Sequence, residues 1–319
     1  MRWQRAVAGL AVFAAFGAVS AQANDKVLIG KAVTALWAFV PADLGIELGI
    51  FAHYGIDAEV LNMGNSPRLH QALTAGSLDF GMSSGADLAF VAKGEPSLAV
   101  AGFATQPRNI SIVTITESPL KTVADLKGKM IAMSGVGSVS EWLVRQMAIQ
   151  EGWGQAGVTT VAMGSFEANL AAIKTHQVDA MVGSVEVGYQ LEERNQGRII
   201  VELGQYAPHF HTHMLFARQQ LIAEKPDLVA RLLKGFFASI AYMKANKEKT
   251  SEIAAKSLNE SVAIMNRVYD EQIGMLEDDG HIDPQAVEVM KDSFIEMGML
   301  TTRPTNDQIL TTQFLPVRP

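Results

Sequence analysis

The sequence predicts an α/β fold of two similar βαβ-type lobes, joined by two crossovers and followed by extra C-terminal helices. Three observations predict it. Short apolar runs alternate with amphipathic stretches of helical period, the pattern of βαβ units with mostly parallel sheets. Residues recur at a constant offset of 100: Thr34 answers Ser134, Gly64-Asn65 answers Gly164-Ser165, Ala72-Leu73 answers Ala172-Ile173, Asp79 answers Asp179 and Ser84 answers Ser184. The 319 residues, 48% apolar and 18% charged, suffice for two cores at roughly 100–200 residues per domain. That balance excludes a disordered or coiled-coil chain.

The elements follow in order. Met1–Arg5 carries two arginines, Ala6–Val19 is uncharged and apolar, and Ala21-Gln22-Ala23 is a small-x-small cleavage signal. Residues 1–23 therefore read as a secretory signal peptide, the apolar run being shorter than the ~20 residues that span a bilayer. The mature protein is expected to be soluble, acidic and periplasmic. Each half then repeats one order. A strand (Val27–Lys31; Met130–Met133) leads through a polar loop to a helix. A second strand (Ala58–Leu61; Val158–Ala162) leads through a glycine loop to another helix. A short strand (Phe80–Met82; Ala180–Val182) ends in a serine loop. Leu98–Phe103 and Ile110–Ile115 are strand-like runs around Thr105–Asn109, the first crossover or turn. Gly204–His211 forms the second linker, before the strand Thr212–Ala217. Lobe one is thus expected to be discontinuous, 24–114 with 213–319, and lobe two to span 115–212. Asp227–Ala245 places Leu228, Leu232, Phe236 and Ile240 on one helical face. Ser251–Leu258, Ser261–Glu271 and Pro284–Met297 complete the helical third.

Charge and composition narrow the chemistry. With 26 Lys+Arg against 33 Asp+Glu, the net charge is -7, which argues against a nucleic-acid binder. The absence of cysteine removes disulfides, zinc–thiolate and iron–sulfur sites and a cysteine nucleophile. In open α/β sheets ligands sit beyond the carboxyl ends of the strands. The loops there are Thr34–Pro41, Gly64–Pro67, Ser83–Gly85, Ser134–Ser140, Gly164–Glu167 and Gly183–Glu186. Most open helices, whose first N–H groups are unpaired and attract anionic or polar groups. The same serines also suit ordinary N-caps.

Four stretches carry a family resemblance: Pro41–Val60, Gln71–Gly81, Val123–Ala132 and Lys225–Val229. Together they resemble the periplasmic solute-binding proteins of ABC importers, in the nitrate/sulfonate/taurine and thiamine-pyrimidine-precursor branch. The resemblance spans essentially the whole mature chain. It implies the type II two-lobed fold, one small solute such as a sulfonate or pyrimidine in the interlobe cleft, and capture by hinge closure. It also implies delivery to a membrane permease driven by an ATPase, with no cofactor and no catalysis. The chain is expected to be a monomer. A sensor subunit for a signalling receptor is the alternative from another class.

The expected ligand-binding residues are Thr34, Trp37, Asn65, Ser66, Ser84, Ser134, Gly135, Val136, Gly137, Ser138, Ser165, Ser184, Glu186 and His209. Trp37 or Phe39 would stack on a flat ligand or lie in the core. Ser134-Gly135-Val136-Gly137-Ser138 would bring backbone N–H groups close to an anion. It is not the dinucleotide Gly-x-Gly-x-x-Gly, since Ser140 stands at the third glycine. Glu186 would repel a sulfonate and accept from an amine, or be a solvent-facing acid in a helix's first turn. His209-x-His211-x-His213 would converge on one strand face, yet zinc needs a fourth ligand. Contact of one histidine with the ligand is the stronger reading.

Two enzyme readings are weaker. Gly81-Met82-Ser83-Ser84-Gly85 matches the Gly-x-Ser-x-Gly elbow, with Asp179 and His209 following in hydrolase order. Relatives of the fold make the thiamine pyrimidine from histidine and pyridoxal phosphate, and in fungi carry a cysteine-rich iron motif; a cysteine-free exported chain departs from that pattern.

Overall fold

A computed structural model describes residues 24–33, 36–136, 138–164 and 166–319, with the backbone alone at Phe166 and Glu167. The signal-peptide reading of 1–23, and the expected ligand contacts of Thr34, Gly137 and Ser165, lie outside the described residues.

Ten strands form two mixed sheets: β1 (Asp25–Lys31), β2 (Ile56–Asn62), β3 (Phe80–Ser84), β4 (Ser97–Thr105), β5 (Ile110–Ile115), β6 (Met130–Met133), β7 (Thr159–Ala162), β8 (Ala180–Ser184), β9 (Gly197–Glu202) and β10 (His211–Arg218). Their orders are β2-β1-β3-β10-β4 and β7-β6-β8-β5-β9. The first three strands of each sheet are parallel, and the fourth, β10 or β5, runs antiparallel to its neighbours. Each fourth strand arrives from the other half, so the sheets exchange one strand apiece.

The repeat has a physical content at the level of single bonds. Asp79 donates its N–H to the Leu28 carbonyl and accepts the Leu28 N–H on its carboxylate at 3.0 Å. Asp179 does the same to Met130, accepting at 2.9 Å. A carboxylate at this position completes the ladder where β3 or β8 begins, which accounts for the recurring aspartate. Gly76 and His176 end equivalent helices with φ of 71° and 56°. At each end a following N–H returns to Ala72 or Ala172. Only the first copy uses the residue that adopts this conformation without steric cost.

The halves divide differently from the sequence expectation at one strand. Ile110–Ile115 pairs with β8 and β9 in the second sheet. The first crossing therefore runs through 106–109, not after 114. The second runs through 207–210, since His211 already pairs with Thr105 in the first sheet. An apolar run shows that a strand exists; it does not show which sheet completes its hydrogen bonds. The β9 strand is absent from the sequence reading, because Gly197-Arg198 and Glu202 bracket an apolar run of only three residues, Ile199–Val201.

The long helix Pro226–Ala245 covers the first sheet. Pro226 occupies its first turn, where a missing N–H costs nothing. Leu228, Leu232, Phe236 and Ile240 are buried as their spacing requires. Phe236 meets Phe103 of β4 edge-to-face at 5.2 Å. The second sheet is covered by Val139–Gln150 and Phe166–Lys174, among others. A core joining Trp142, Phe210, Phe216 and Phe294 runs from one half into the other. Among the described residues no helix is long and apolar enough to cross a membrane.

Candidate ligand site

At the carboxyl ends of the strands, most predicted polar residues cap helices. Asn65 accepts the Arg68 N–H at 2.9 Å. Ser84 accepts from Ala86 N, Ser138 from Glu141 N and Ser184 from Val187 N. Each hydroxyl or amide oxygen satisfies a donor that the helix leaves unpaired. Ser134 and Ser138 both meet the Ser140 hydroxyl, at 2.9 and 2.8 Å. Ser66 meets Ser83 at 3.2 Å, and Ser83 donates to Asp87. Asp87 in turn lies 3.2 Å from His70 Nε2, and Glu95 lies 2.6 Å from His70 Nδ1. This chain of contacts runs from Ser66, which is partly covered, through buried Ser83, Asp87 and His70 to Glu95.

The two halves meet at Trp37 and Glu186. Trp37 opens the segment after β1 and is fully buried. Glu186 opens the helix Val185–Glu193 after β8 and is 5% exposed. The Trp37 N–H donates to Glu186 Oε1 at 3.3 Å across the junction. Gln272, at the end of the helix Val262–Gln272, is fully buried, and its amide faces the same carboxyl. Tyr269, one turn earlier, packs edge-on to the Trp37 ring at 6.2 Å.

A second contact adjoins the first. The Val185 N–H donates to the Asn109 carbonyl, and the Asn109 amide lies 3.1 Å from His213 Nε2. His213 sits opposite Ser84 in the β3–β10 ladder, and Ile110 opposite Ser184 in β5–β8. The Asn109–His213 pair thus lies where the two equivalent serine loops approach. Phe39 and Phe103 flank the His213 ring at 5.1 and 5.8 Å.

Electrostatics here follow burial. Desolvation raises the Glu186 pKa, against lowering by hydrogen bonds from its own backbone, Ser184, Trp37 and Gln272. Desolvation lowers His213 to about 3, so its imidazole is neutral near pH 7. Two buried polar atoms in this cluster, Trp37 Nε1 and Asn109 Oδ1, complete no hydrogen bond within the chain, and the Gln272 amide faces the Glu186 carboxyl. A buried polar atom without a partner costs roughly 1–3 kcal/mol, which makes this junction the candidate site for something polar.

The structure brings Trp37, Ser84, Ser184 and Glu186 to this junction. Glu186 is buried, not a solvent-facing first-turn acid. Asn65 and Ser134 stand exposed, Ser66, Gly135 and Ser138 are partly covered, and Val136 is 82% exposed on the outer end of its loop. His209 is exposed beside Asp283, at 3.6 Å, and lines a separate pocket of about 280 Å³ next to the crossings with Gln106 and His281. The three histidines do not converge. His211 accepts the Asp283 N–H at 2.8 Å, and His213 turns to Asn109. Among the described residues no group of three or more His, Cys, Asp or Glu side chains is placed to hold a metal.

The elbow motif resolves into packing. Ser83 bonds a carboxylate, not an imidazole, and Asp179 is spent on the start of β6. A Cβ on Gly81 would lie 2.6 Å from Leu69, and one on Gly85 2.2 Å from the His211 carbonyl. The glycines are there for close approach.

Gln272, Tyr269 and Asn109 were beyond sequence reasoning. Gln272 lies in a helix that periodicity assigns to covering a sheet. The one available signal was an amide in line with the apolar face of that helix.

Comparison with known proteins bears on this arrangement. A family described as NMT1/THI5 like matches residues 38–250. Relatives from Brucella abortus and Brucella suis, provisionally named binding proteins, are 26% identical over 288 residues, 87% of each chain. The alkanesulfonate-binding protein SsuA of Xanthomonas axonopodis pv. citri, solved bound to MOPS, superimposes with a TM-score of 0.77 at 19% identity, over 90% of this chain and 98% of that one. The periplasmic aliphatic sulphonate-binding SsuA of Escherichia coli gives 0.74 at 17%, over 90% and 92%. The desulfurization enzyme DSZB also shares the fold, at 0.66 and 15%, over 92% and 98%. The shared architecture is the two-lobed periplasmic binding protein fold.

Proposed function

The chain belongs to the NMT1/THI5-like family, and on that premise we propose that it is the substrate-binding component of an ABC importer. It acts in the periplasm after removal of 1–23, as a monomer. The two sheets are its two lobes. A small organic solute enters between them, hinge closure traps it, and a permease with its ATPase receives it. No bond is made or broken. DSZB shows that the fold also hosts an enzyme, so catalysis must be argued from the site. Here the elbow serine faces Asp87, and the chain has no cysteine.

The observation that carries this reading is the Trp37–Glu186 contact, with the unpartnered Trp37 Nε1 and Asn109 Oδ1 beside it. A ligand stabilises a closed form only if it touches both lobes, because only differential affinity shifts the balance. Trp37 and Gln272 belong with the first sheet, Glu186 with the second. Micromolar binding would supply about 8 kcal/mol at standard state.

The test is native mass spectrometry of the exported protein, followed by X-ray scattering with and without the recovered compound. A bound small molecule and a smaller radius of gyration on adding it back are expected. A protein that carries nothing, and whose scattering no candidate solute changes, would sink the importer reading.

A further inference from the structure

Glu186 is an acid enclosed where the two halves meet, and it is enclosed without a counter-charge. Resting on the binding-protein reading, we infer that this makes closure a proton-linked step: the Glu186 carboxylate takes up one proton from solvent as the halves close on it and returns it as they part. Acid then favours the closed form and alkali the open one.

The geometry carries this in three parts. The first is enclosure by the opposite half. Glu186 stands on the second half and is 5% exposed. Two fully buried residues of the first half cover it: the Trp37 N–H donates to Oε1 at 3.3 Å, and the Gln272 amide faces the carboxyl. Parting the halves takes both away and lets water take their place.

The second part is charge. Among the described residues, the groups acting on Glu186 are its own backbone, Ser184, Trp37 and Gln272, all uncharged. On the helix Val262–Gln272, Arg267 is engaged with Tyr189, Glu192 and Glu271, and Asp270 with Lys247. On β9, Arg198 is bound to the Ser118 and Leu120 carbonyls and Glu202 is exposed. Neither β5 nor β8 carries a charged residue. On the helix Val185–Glu193 itself, Glu192 pairs with Arg267 and Glu193 is exposed. A buried carboxylate without a partner charge is strongly disfavoured, and the group holds a proton instead. The third part is the hydrogen bonding that the neutral form finds. An amide offers a donor and an acceptor, so Gln272 serves a protonated carboxyl as well as an ionised one.

The sign follows. Burial raises the Glu186 pKa in the assembled junction, and water returns it toward the ordinary carboxylate range when the halves part. The advantage of the closed form is complete below the open-state value and is lost as pH rises through the closed-state one. Within that window the ratio of closed to open falls by up to about tenfold per pH unit, the slope for one proton. His213 titrates in the opposite sense, but Phe39 and Phe103 of its own half enclose it, with Asn109 of the crossing. A variant that keeps His213 cancels its contribution.

X-ray scattering of the mature protein, dialysed free of solute and measured from pH 5 to pH 9, tests this. The wild-type radius of gyration is expected to grow with pH. Glu186→Gln, of the same shape but unable to ionise, is expected to keep one radius throughout, with circular dichroism showing the fold retained. Infrared spectra of the wild type give a readout that survives misfolding of the variant: the carbonyl band of a protonated carboxyl is expected in the compact form and is lost in step with the expansion. A wild-type radius constant over this range, an equal expansion in folded Glu186→Gln, or expansion without loss of the band overturns the inference. Each of these leaves the binding-protein reading standing if the compound recovered by native mass spectrometry still contracts the protein. A protein that contracts neither in acid nor with that compound ends both.

Discussion

His70 is held between two carboxylates, and its titration gives the protein an alkaline limit. Burial alone would lower its pKa, but hydrogen bonds and charge from Asp87 and Glu95 outweigh that and raise it to about 9. A folded pKa above the unfolded ~6.5 means stability fully present below pH 6.5 and lost as pH rises through 9. His211 and His213 work in the opposite sense. Burial lowers them to about 4 and about 3, so folding disfavours their charged forms, and stability falls as pH drops from 6.5 toward 3. Stability is therefore expected to peak near pH 6.5. Replacing His70 with Gln should flatten the decline between pH 6.5 and 9, which is worth roughly 3 kcal/mol at most at 1.36 kcal/mol per unit. Urea denaturation of both proteins at the two pH values checks this, and an equal decline in the variant refutes it. Gly85 gives a second prediction at this scale. An added Cβ meets the His211 backbone carbonyl, which cannot swing aside like a side chain. Gly85→Ala is expected to cost about 1–3 kcal/mol in the same assay.

At the scale of elements, the serine loops show what a single sequence reveals and what it hides. Strand and helix positions were legible because hydrophobic period and turn residues act locally. Met130–Met133 and Ile110–Ile115 appear with the boundaries that the pattern gives. The lobe to which β5 belongs was not legible, since its partner strands lie more than 65 residues away. Ser84 and Ser184 were legible as a repeated pair, because a helix start after a strand demands a cap in both halves. Asn109 carries no local signal and Gln272 only that of an amide on an apolar helix face; only the docking of two halves makes them candidate site residues. The caps themselves are measurable. Ser138 accepts the Glu141 N–H for the helix Val139–Gln150 and also holds Ser140. Ser138→Ala should cost about 1 kcal/mol by thermal unfolding, and Ser138→Asp should recover most of it. A full loss in Ser138→Asp would mean that the Ser140 contact, not the cap, is what matters.

For the whole molecule, the question is what holds the halves together apart from ligand. Besides Trp37–Glu186, the clearest clasp is Arg267, on the helix Val262–Gln272 beside the first sheet. Its guanidinium stacks 3.5 Å over the Tyr189 ring and pairs with Glu192 at 3.0 Å, both on the helix Val185–Glu193 of the second. Across the molecule, Trp142 and Gln146 both donate to Glu296 at 3.1 Å. Arg267 is half exposed, so its ion pair contributes little, and stacking on tyrosine supplies about 0.5–1 kcal/mol. A clasp of that size biases closure without locking it, which suits a protein that must also release its ligand. Gln106, in the first crossing, adopts φ of 54°, a conformation that favours glycine and places local backbone strain in the segment that joins the two sheets. Arg267→Ala should therefore shift the ligand-free protein toward the open form. The expected signs are a larger radius of gyration without ligand, an unchanged one with it, and a several-fold loss of affinity by population shift alone. Trp37→Phe provides the contrast, because it removes an indole N–H from the site and leaves the clasp intact. It should lower affinity without changing the ligand-free scattering. If Arg267→Ala leaves both scattering curves as in the wild type, the contact is incidental and closure rests on the buried junction alone.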